Sequence, residues 1–171
     1  LAKVDKKLHY SIQKAREVDY IPYTTENGQW KKNSIGWWTN GFWGGLMWMM
    51  YAYTKNEEYM ITARRCEELQ DAAFDRVEGL HHDVGFMWHI LSGANYRLTG
   101  DMKSRNRNML CAMTLASRFK LNGNYIRAWN DENTTSRSNN GWSIIDCMMN
   151  LELLYWAFCL ITVSKSLYSF V

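Results

Sequence analysis

The chain alternates two kinds of helical segment, and the alternation limits what it can fold into. Val4 to Asp19 and Glu57 to Phe74 carry apolar residues on one face only, the second through Tyr59, Ile61, Ala63, Cys66, Leu69 and Ala73. Between and after them lie "NGFWGGLMWMMYAYT" and "VGFMWHILSGANYRL", which are apolar nearly all round. The cores of these two segments, from Trp43 and from Phe86, recur after about 43 residues, which is the spacing of a helical-hairpin repeat. A helix that is hydrophobic all round has to be enclosed, whereas a one-faced helix can lie outside. The pattern therefore predicts inner helices wrapped by outer ones, an all-α partial α/α toroid of about three hairpins. Inner helices are expected at 40–54, 84–98 and 143–157, with an outer one at 102–119. The turns "KNEE" and "TGD" punctuate the hairpins.

Composition agrees with a packed helical domain and excludes several function classes. Of 171 residues, 47% are hydrophobic, 22% are charged and only one is Pro, so a disordered chain is excluded. The net charge of +3 is spread among acids rather than gathered in a basic stripe, which argues against nucleic acid as a partner. The longest apolar run, 153–163, is far short of the roughly 20 residues a bilayer requires, so no membrane partner is expected. Cys66, Cys111, Cys147 and Cys159 show no paired spacing and sit in apolar patterns. They read as buried thiols in a reducing compartment, and with no leader-like start the expected location is cytoplasmic. Nine Trp are the informative excess, because indole faces either fill cores or stack on flat ligands such as sugar rings. Trp48 and Trp88, and the Met-rich "GLMWMM", read as core packing.

A toroid gathers its loops at one end, and the segments that precede the inner helices are "GWWTNGFW", "GLHHDVGF" and "NNGWSIID". Each carries Trp, His, Asp or Asn. Asp146 stands among Ile144, Ile145, Met148 and Met149. Desolvation there would disfavour its charged form and raise its pKa toward a proton donor's range, while the alternative places it on the wetter side of its helix or in a turn. Asp83, directly before an apolar helix, reads equally as an N-cap. His82 beside it is a candidate ligand contact. The run "HHD" with His89 raises the question of a metal, but no recognised metal-binding spacing is present and none is expected.

The motifs "WTNGFWGGLMWM", "HHDVGFMW", "SGANYRLTGD", "YIRAWN" and "GWSIIDCMMNLELLYWA", in that order, resemble the amino-terminal half of the unsaturated glucuronyl hydrolases, glycoside hydrolase family 88, over residues 1–157. The resemblance implies a six-hairpin α/α barrel, of which this chain supplies about three hairpins. It further implies removal of a 4,5-unsaturated uronic acid from the non-reducing end of lyase-generated oligosaccharides, by hydration of the C4=C5 vinyl ether and with no cofactor. By the same resemblance Asp146 matches the acid/base and Asp83 the second site carboxyl. Trp38 and Trp129 match positions that line the site, and Trp43, Trp142 and His82 are further substrate-binding candidates.

Two departures stand out: Glu152 occupies a position where the family usually carries Pro, and from Phe158 onward "FCLITVSKSLYSFV" leaves the family pattern. The expectation is a divided chain, 1–157 being half of the barrel domain and 158–171 a divergent tail produced by a frameshift or truncation. Such a half barrel would self-associate through its uncovered faces. The alternatives are an inactive helical carbohydrate-binding scaffold and the related unsaturated rhamnogalacturonyl hydrolases.

Overall fold

In the computed structural model, residues 1–130, 139 and 141–168 are described, with side chains through residue 162. The elements run α1 (Ala2–Ala15), the hairpin β1 (Thr24–Glu26) and β2 (Gln29–Lys31), α2 (Asn40–Thr54) and α3 (Glu57–Gln70). A 3₁₀ stretch (Asp71–Gly79) and a π-helical turn (Gly85–His89) lead to α4 (Ser92–Thr99) and α5 (Met102–Ser117). The two-residue strands β3 (Phe119–Lys120) and β4 (Tyr125–Ile126) pair antiparallel before α6 (Cys147–Tyr168). Of the expected tail 158–171, residues 169–171 lie outside the described residues, and α6 continues past residue 157 without a break in the helix.

The helix ends arise from local chemistry. α2 stops where Lys55 turns left-handed (φ 58°), and Asn56 then caps α3 by accepting the Glu58 N–H at 3.0 Å. Gly100 (φ 77°) ends α4 in the same manner, and Asp101 caps α5 by accepting the Ser104 N–H at 2.8 Å. The expected hairpin punctuation is therefore present.

The layers match the alternation in the sequence. The π turn packs against α2 on one side and α6 on the other, α3 covers α2, and α5 covers α4, the π turn and α6. This is part of an α/α toroid. One apolar cluster joins Leu8 and Ile12 of α1 to Met47, Trp48, Tyr59, Ala63, Cys66 and Leu91. A second joins Val84, Met87 and Trp88 to Cys111, Leu115 and Leu153. Trp48 and Trp88 are fully buried, as expected of packing residues.

Several expectations need correction. The fourth segment is not one helix over 84–98: a π turn and a bend at Leu91 (φ −103°, ψ −79°) precede α4. The sixth starts at Cys147 rather than 143. Ile61 is exposed, because the buried stripe of α3 is Tyr59, Ala63, Cys66, Glu67 and Gln70, and Ile61 falls off its 3–4 spacing. Cys159 is exposed, so only three of the four thiols are buried, and all four are free. No helix is long and apolar enough to cross a membrane among the described residues.

Candidate active site

The first turns of α2, the π segment and α6 touch at backbone distance, and glycines permit it. A Cβ on Gly41 would meet the Phe86 carbonyl oxygen at 2.2 Å, and one on Gly85 would meet Asn150 Oδ1 at 2.4 Å. Asn150 Oδ1 in turn accepts the Phe86 N–H at 2.9 Å in a buried hydrogen bond, so α6 caps the π turn from across the molecule. Asn40 completes the clamp by donating from Nδ2 to the carbonyls of Ser34 and Ile35, both at 2.9 Å, which fixes the loop that carries Trp38.

Four side chains converge at this junction. His82 Nε2 lies 3.2 Å from Asp83 Oδ1 and 3.9 Å from Asp146 Oδ1, and His81 Nδ1 lies 3.5 Å from Asp83 Oδ2. His82 is fully buried and Asp83 is 5% exposed, whereas the Asp146 side chain is 40% exposed. Both His82 ring nitrogens, His81 Nδ1, Asp83 Oδ1 and Asp146 Oδ1 lack hydrogen-bond partners, an unusual concentration of unsatisfied polar atoms. The donor atoms of His81, His82 and Asp83 lie within 4.8 Å of one another, close enough to share a metal ion.

The electrostatics separate the two carboxyls by environment. Burial, reinforced by the negative charge of Asp146 and opposed by Arg118, pushes the Asp83 carboxyl up to about 7. Burial, together with the charges of His82 and Arg118, pushes His81 down to about 4, and burial also lowers His82. Both imidazoles are thus neutral near pH 7. The apolar enclosure expected around Asp146 does not form: Ile145 is 91% exposed, Met149 69% and Met148 66%, and Asp146 lies in the turn just before α6. The carboxyl that is shut away from water is Asp83. Nor does Asp83 cap the helix it precedes. Among the described residues its side chain pairs with the two histidines, and Asn150 takes the Phe86 N–H.

Arg118 holds the loop beneath Asp83. Its guanidinium donates to the Arg127 carbonyl at 2.8 Å, the Ala128 carbonyl at 3.0 Å and Asn130 Oδ1 at 2.8 Å. Asn130 then donates to the carbonyls of Glu78 (2.8 Å) and Leu80 (3.2 Å). The His82 N–H donates to the Ala128 carbonyl at 3.2 Å and the Ala128 N–H to the Trp142 carbonyl at 2.8 Å. The segments around Asp83, Trp129 and Trp142 are therefore one tied frame.

Of the aromatic candidates, Trp38 packs against Phe42 (5.8 Å between ring centroids) and Phe86 (5.6 Å), beside the π turn that comes after Asp83. Trp129 and Trp142 face each other at 5.9 Å. A cavity of about 460 Å³ opens between Trp37, Arg76, His81 and Trp129. Trp43 is not brought to this junction. It packs on Trp30 at 5.7 Å and lines a pocket with Ile12, Tyr20 and Arg65, on a different flank of α2. His89 is separate as well, its ring bonded to Asn108 (3.1 Å) and Arg97 (3.4 Å). Arg118 and Asn150 are not singled out by the sequence, and His81 enters it only as part of the run "HHD". Asn150 has a usable signal, standing one helical turn after Asp146, but Arg118 sits in "SRFKLNG", where nothing marks it.

A buried carboxyl with its pKa raised to near neutrality, a second carboxyl open to solvent, and Trp faces beside them belong to the class of groupings expected of a ligand site that moves protons. Similarity to known proteins narrows this class. No family model matches the chain. It is 34% identical over 157 residues to the unsaturated chondroitin disaccharide hydrolase of Streptococcus pneumoniae, covering 91% of this chain and 39% of that protein. It is 36% identical over 121 residues to the unsaturated glucuronyl hydrolase of Bacillus sp. strain GL1, covering 70% of this chain and 32% of that protein. The crystal structure of unsaturated glucuronyl hydrolase from Bacillus sp. GL1, described as responsible for the degradation of glycosaminoglycan, superposes with a TM-score of 0.73 at 30% identity. That superposition covers 85% of this chain and 39% of the solved one. The chain belongs to the unsaturated glucuronyl hydrolases, and it spans between 32% and 39% of the length of these relatives.

Proposed function

We propose that this chain carries the acid/base carboxyls of a glycoside hydrolase that removes a 4,5-unsaturated uronic acid from the non-reducing end of lyase-generated oligosaccharides. The observation that carries the reading is the meeting of Asp83, His82 and Asp146 at the first turns of the inner helices. Hydration of the C4=C5 vinyl ether needs a proton delivered to C4 and a water deprotonated for attack at C5, and the hemiketal formed then opens and releases the neighbouring sugar. Asp146, half exposed, is the carboxyl that reaches the ligand and performs both transfers. Asp83, buried and protonated up to about pH 7, lies against the same His82 nitrogen that faces Asp146, so it positions the ligand beside Asp146. His82, fully buried behind the two carboxyls, acts on the sugar through Asp83 and Asp146, which it lies against, rather than by direct contact. Trp38, Trp129 and Trp142 form the stacking platform, and the chemistry requires no cofactor. The relatives' names, unsaturated chondroitin disaccharide hydrolase and unsaturated glucuronyl hydrolase, support a uronic-acid ligand from a glycosaminoglycan.

The test is the loss of the double bond's ultraviolet absorbance from an unsaturated chondroitin disaccharide, assayed with this chain and with this chain joined to the rest of a relative's barrel. Turnover of the unsaturated sugar with none of its saturated counterpart supports the reading. Equal cleavage of both refutes the hydration chemistry. A second reading, a carbohydrate-binding scaffold without turnover, is favoured by the exposed flank of α6 and is supported if the chain binds the disaccharide while the absorbance persists in both formats.

A further inference from the structure

We propose that His81, His82 and Asp83, with Asp146 within reach, form a site for one divalent transition-metal ion of the Zn²⁺ type. The inference concerns binding and stands whether or not the chain turns over sugar. Three observations carry it. The donor atoms of the first three residues lie within 4.8 Å of one another. The separations, 3.2 Å from His82 Nε2 to Asp83 Oδ1, 3.5 Å from His81 Nδ1 to Asp83 Oδ2 and 3.9 Å from His82 Nε2 to Asp146 Oδ1, are each comparable to the ~3.4 Å between two ligand atoms on one zinc ion. His82 is wholly buried with neither ring nitrogen hydrogen-bonded, and His81 Nδ1, Asp83 Oδ1 and Asp146 Oδ1 are also without partners. Desolvated and without hydrogen bonds, these side chains would recover part of that cost from a cation that accepts one lone pair from each.

The donor set selects the metal. Two imidazoles with carboxylates suit Zn²⁺, Ni²⁺ or Cu²⁺, whereas Mg²⁺ and Ca²⁺ want oxygen only. Two carboxylates also supply the charge that a dication needs, and the guanidinium of Arg118, which opposes it among the described residues, is turned to the loop carbonyls. A bound ion would engage both carboxyls, so if the chain is the hydrolase proposed here the ion would be an inhibitor and not a cofactor.

The experiment is calorimetric titration of the chain with Zn²⁺, paired with the visible spectrum of added Co²⁺, in a Cys159→Ser background that removes the exposed thiol. One equivalent should bind, with a Co²⁺ spectrum of four- or five-coordinate intensity, and excess Mg²⁺ should not displace it. His81→Asn should weaken binding by at least ~10-fold, the minimum for loss of a ligand when even outer-shell partners are worth that much. Asp83→Asn should do the same, and circular dichroism of each variant reports its folding. His9→Asn controls for the other surface cluster, where His9 lies against Asp5 and Glu58, and should leave the affinity unchanged. Zinc affinity abolished by His9→Asn, affinity unaltered in folded His81→Asn and Asp83→Asn, or no stoichiometric binding in the parent would each overturn the proposal.

Discussion

The two turns that present Asp83 and Asp146 have the same place in the fold, each directly before an inner segment, yet they are built in opposite ways. The Asp83 turn is tied through Arg118, Asn130 and Ala128 to segments some 35 to 60 residues away, and its carboxyl is closed off from water. The Asp146 turn is anchored mainly by Cys147 and Asn150 in the first turn of α6, while Ile145, Met148 and Met149 face outward. A rigid dry site tunes a proton affinity, and an open one meets a ligand. The pair divides these tasks between two carboxyls because a single environment cannot supply both.

The sharpest way to break this division is to neutralise each carboxyl in turn. Asp146→Asn should lower turnover of an unsaturated disaccharide by roughly 10² to 10⁴, the range that general acid–base catalysis supplies, with binding retained. Asp83→Asn should also depress turnover, and lost capping cannot be the reason, since Asp83 caps nothing here. Near-normal turnover in Asp146→Asn would remove the proposed role.

The frame under Asp83 is the next target. Arg118→Met strands the carbonyls of Arg127 and Ala128 and Asn130 Oδ1, and should cost on the order of 2–3 kcal/mol in denaturant unfolding. Gly85→Ala pushes a methyl into Asn150 and should cost about 1–3 kcal/mol, uncoupling α6 from the π turn. A cost below ~0.5 kcal/mol for either would mean that the frame is not what holds the site together.

The pH dependence of stability discriminates more finely. Asp83 has its folded pKa raised from 3.8 to about 7, so its contribution is full below pH 4 and is lost as pH rises toward 7. His81 is lowered from 6.5 to about 4, so its contribution is full above pH 6.5 and is lost as pH falls toward 4. Asp83→Asn should therefore gain stability relative to the parent at pH 8 compared with pH 5, by on the order of 1 kcal/mol or more, read from thermal melts at the two values. His81→Asn should shift the balance the other way.

The smallest effect belongs to the open turn. Ile145→Ser should change stability by no more than ~0.5 kcal/mol, because the side chain is already in water. It should nevertheless reduce self-association, which we expect from the apolar surface that Ile145, Met148, Met149 and Tyr155 leave exposed. A monodisperse monomer in sizing would contradict that expectation.

What the sequence reveals depends on how local the cause is. The bounds of α2, 40–54, are legible because a left-handed Lys55 and a capping Asn56 come at once after it. So are the inner and outer layers and the approach of Asp83 to Asp146, the last through the family resemblance. The environment of Asp146 is misread when neighbours in sequence are taken as neighbours in space. Around a helix start, adjacent residues point in different directions, and Cys147 and Asn150 turn inward while the apolar residues beside them do not. The capping role given to Asp83 belongs to Asn150, 64 positions from Phe86, and no local pattern can report a partner at that distance. The bend in 84–98 escapes the sequence because apolar periodicity cannot count a surplus residue in a segment that is apolar on every side.

That surplus residue has a consequence for how this sequence tolerates insertions and deletions. A π turn holds one residue more than the α-helical turn it replaces, and it sits at Gly85–His89, between Asp83 and the regular helix α4. Deleting one residue there would relax the turn to an α-helix and rotate everything before it by about 100° relative to α4. Asp83 and His82 would together swing away from Asp146 while the downstream helices kept their places. A single-codon deletion in this stretch should thus abolish the site, whereas one in the loop 121–124, whose residues are all exposed, should leave both site and fold intact.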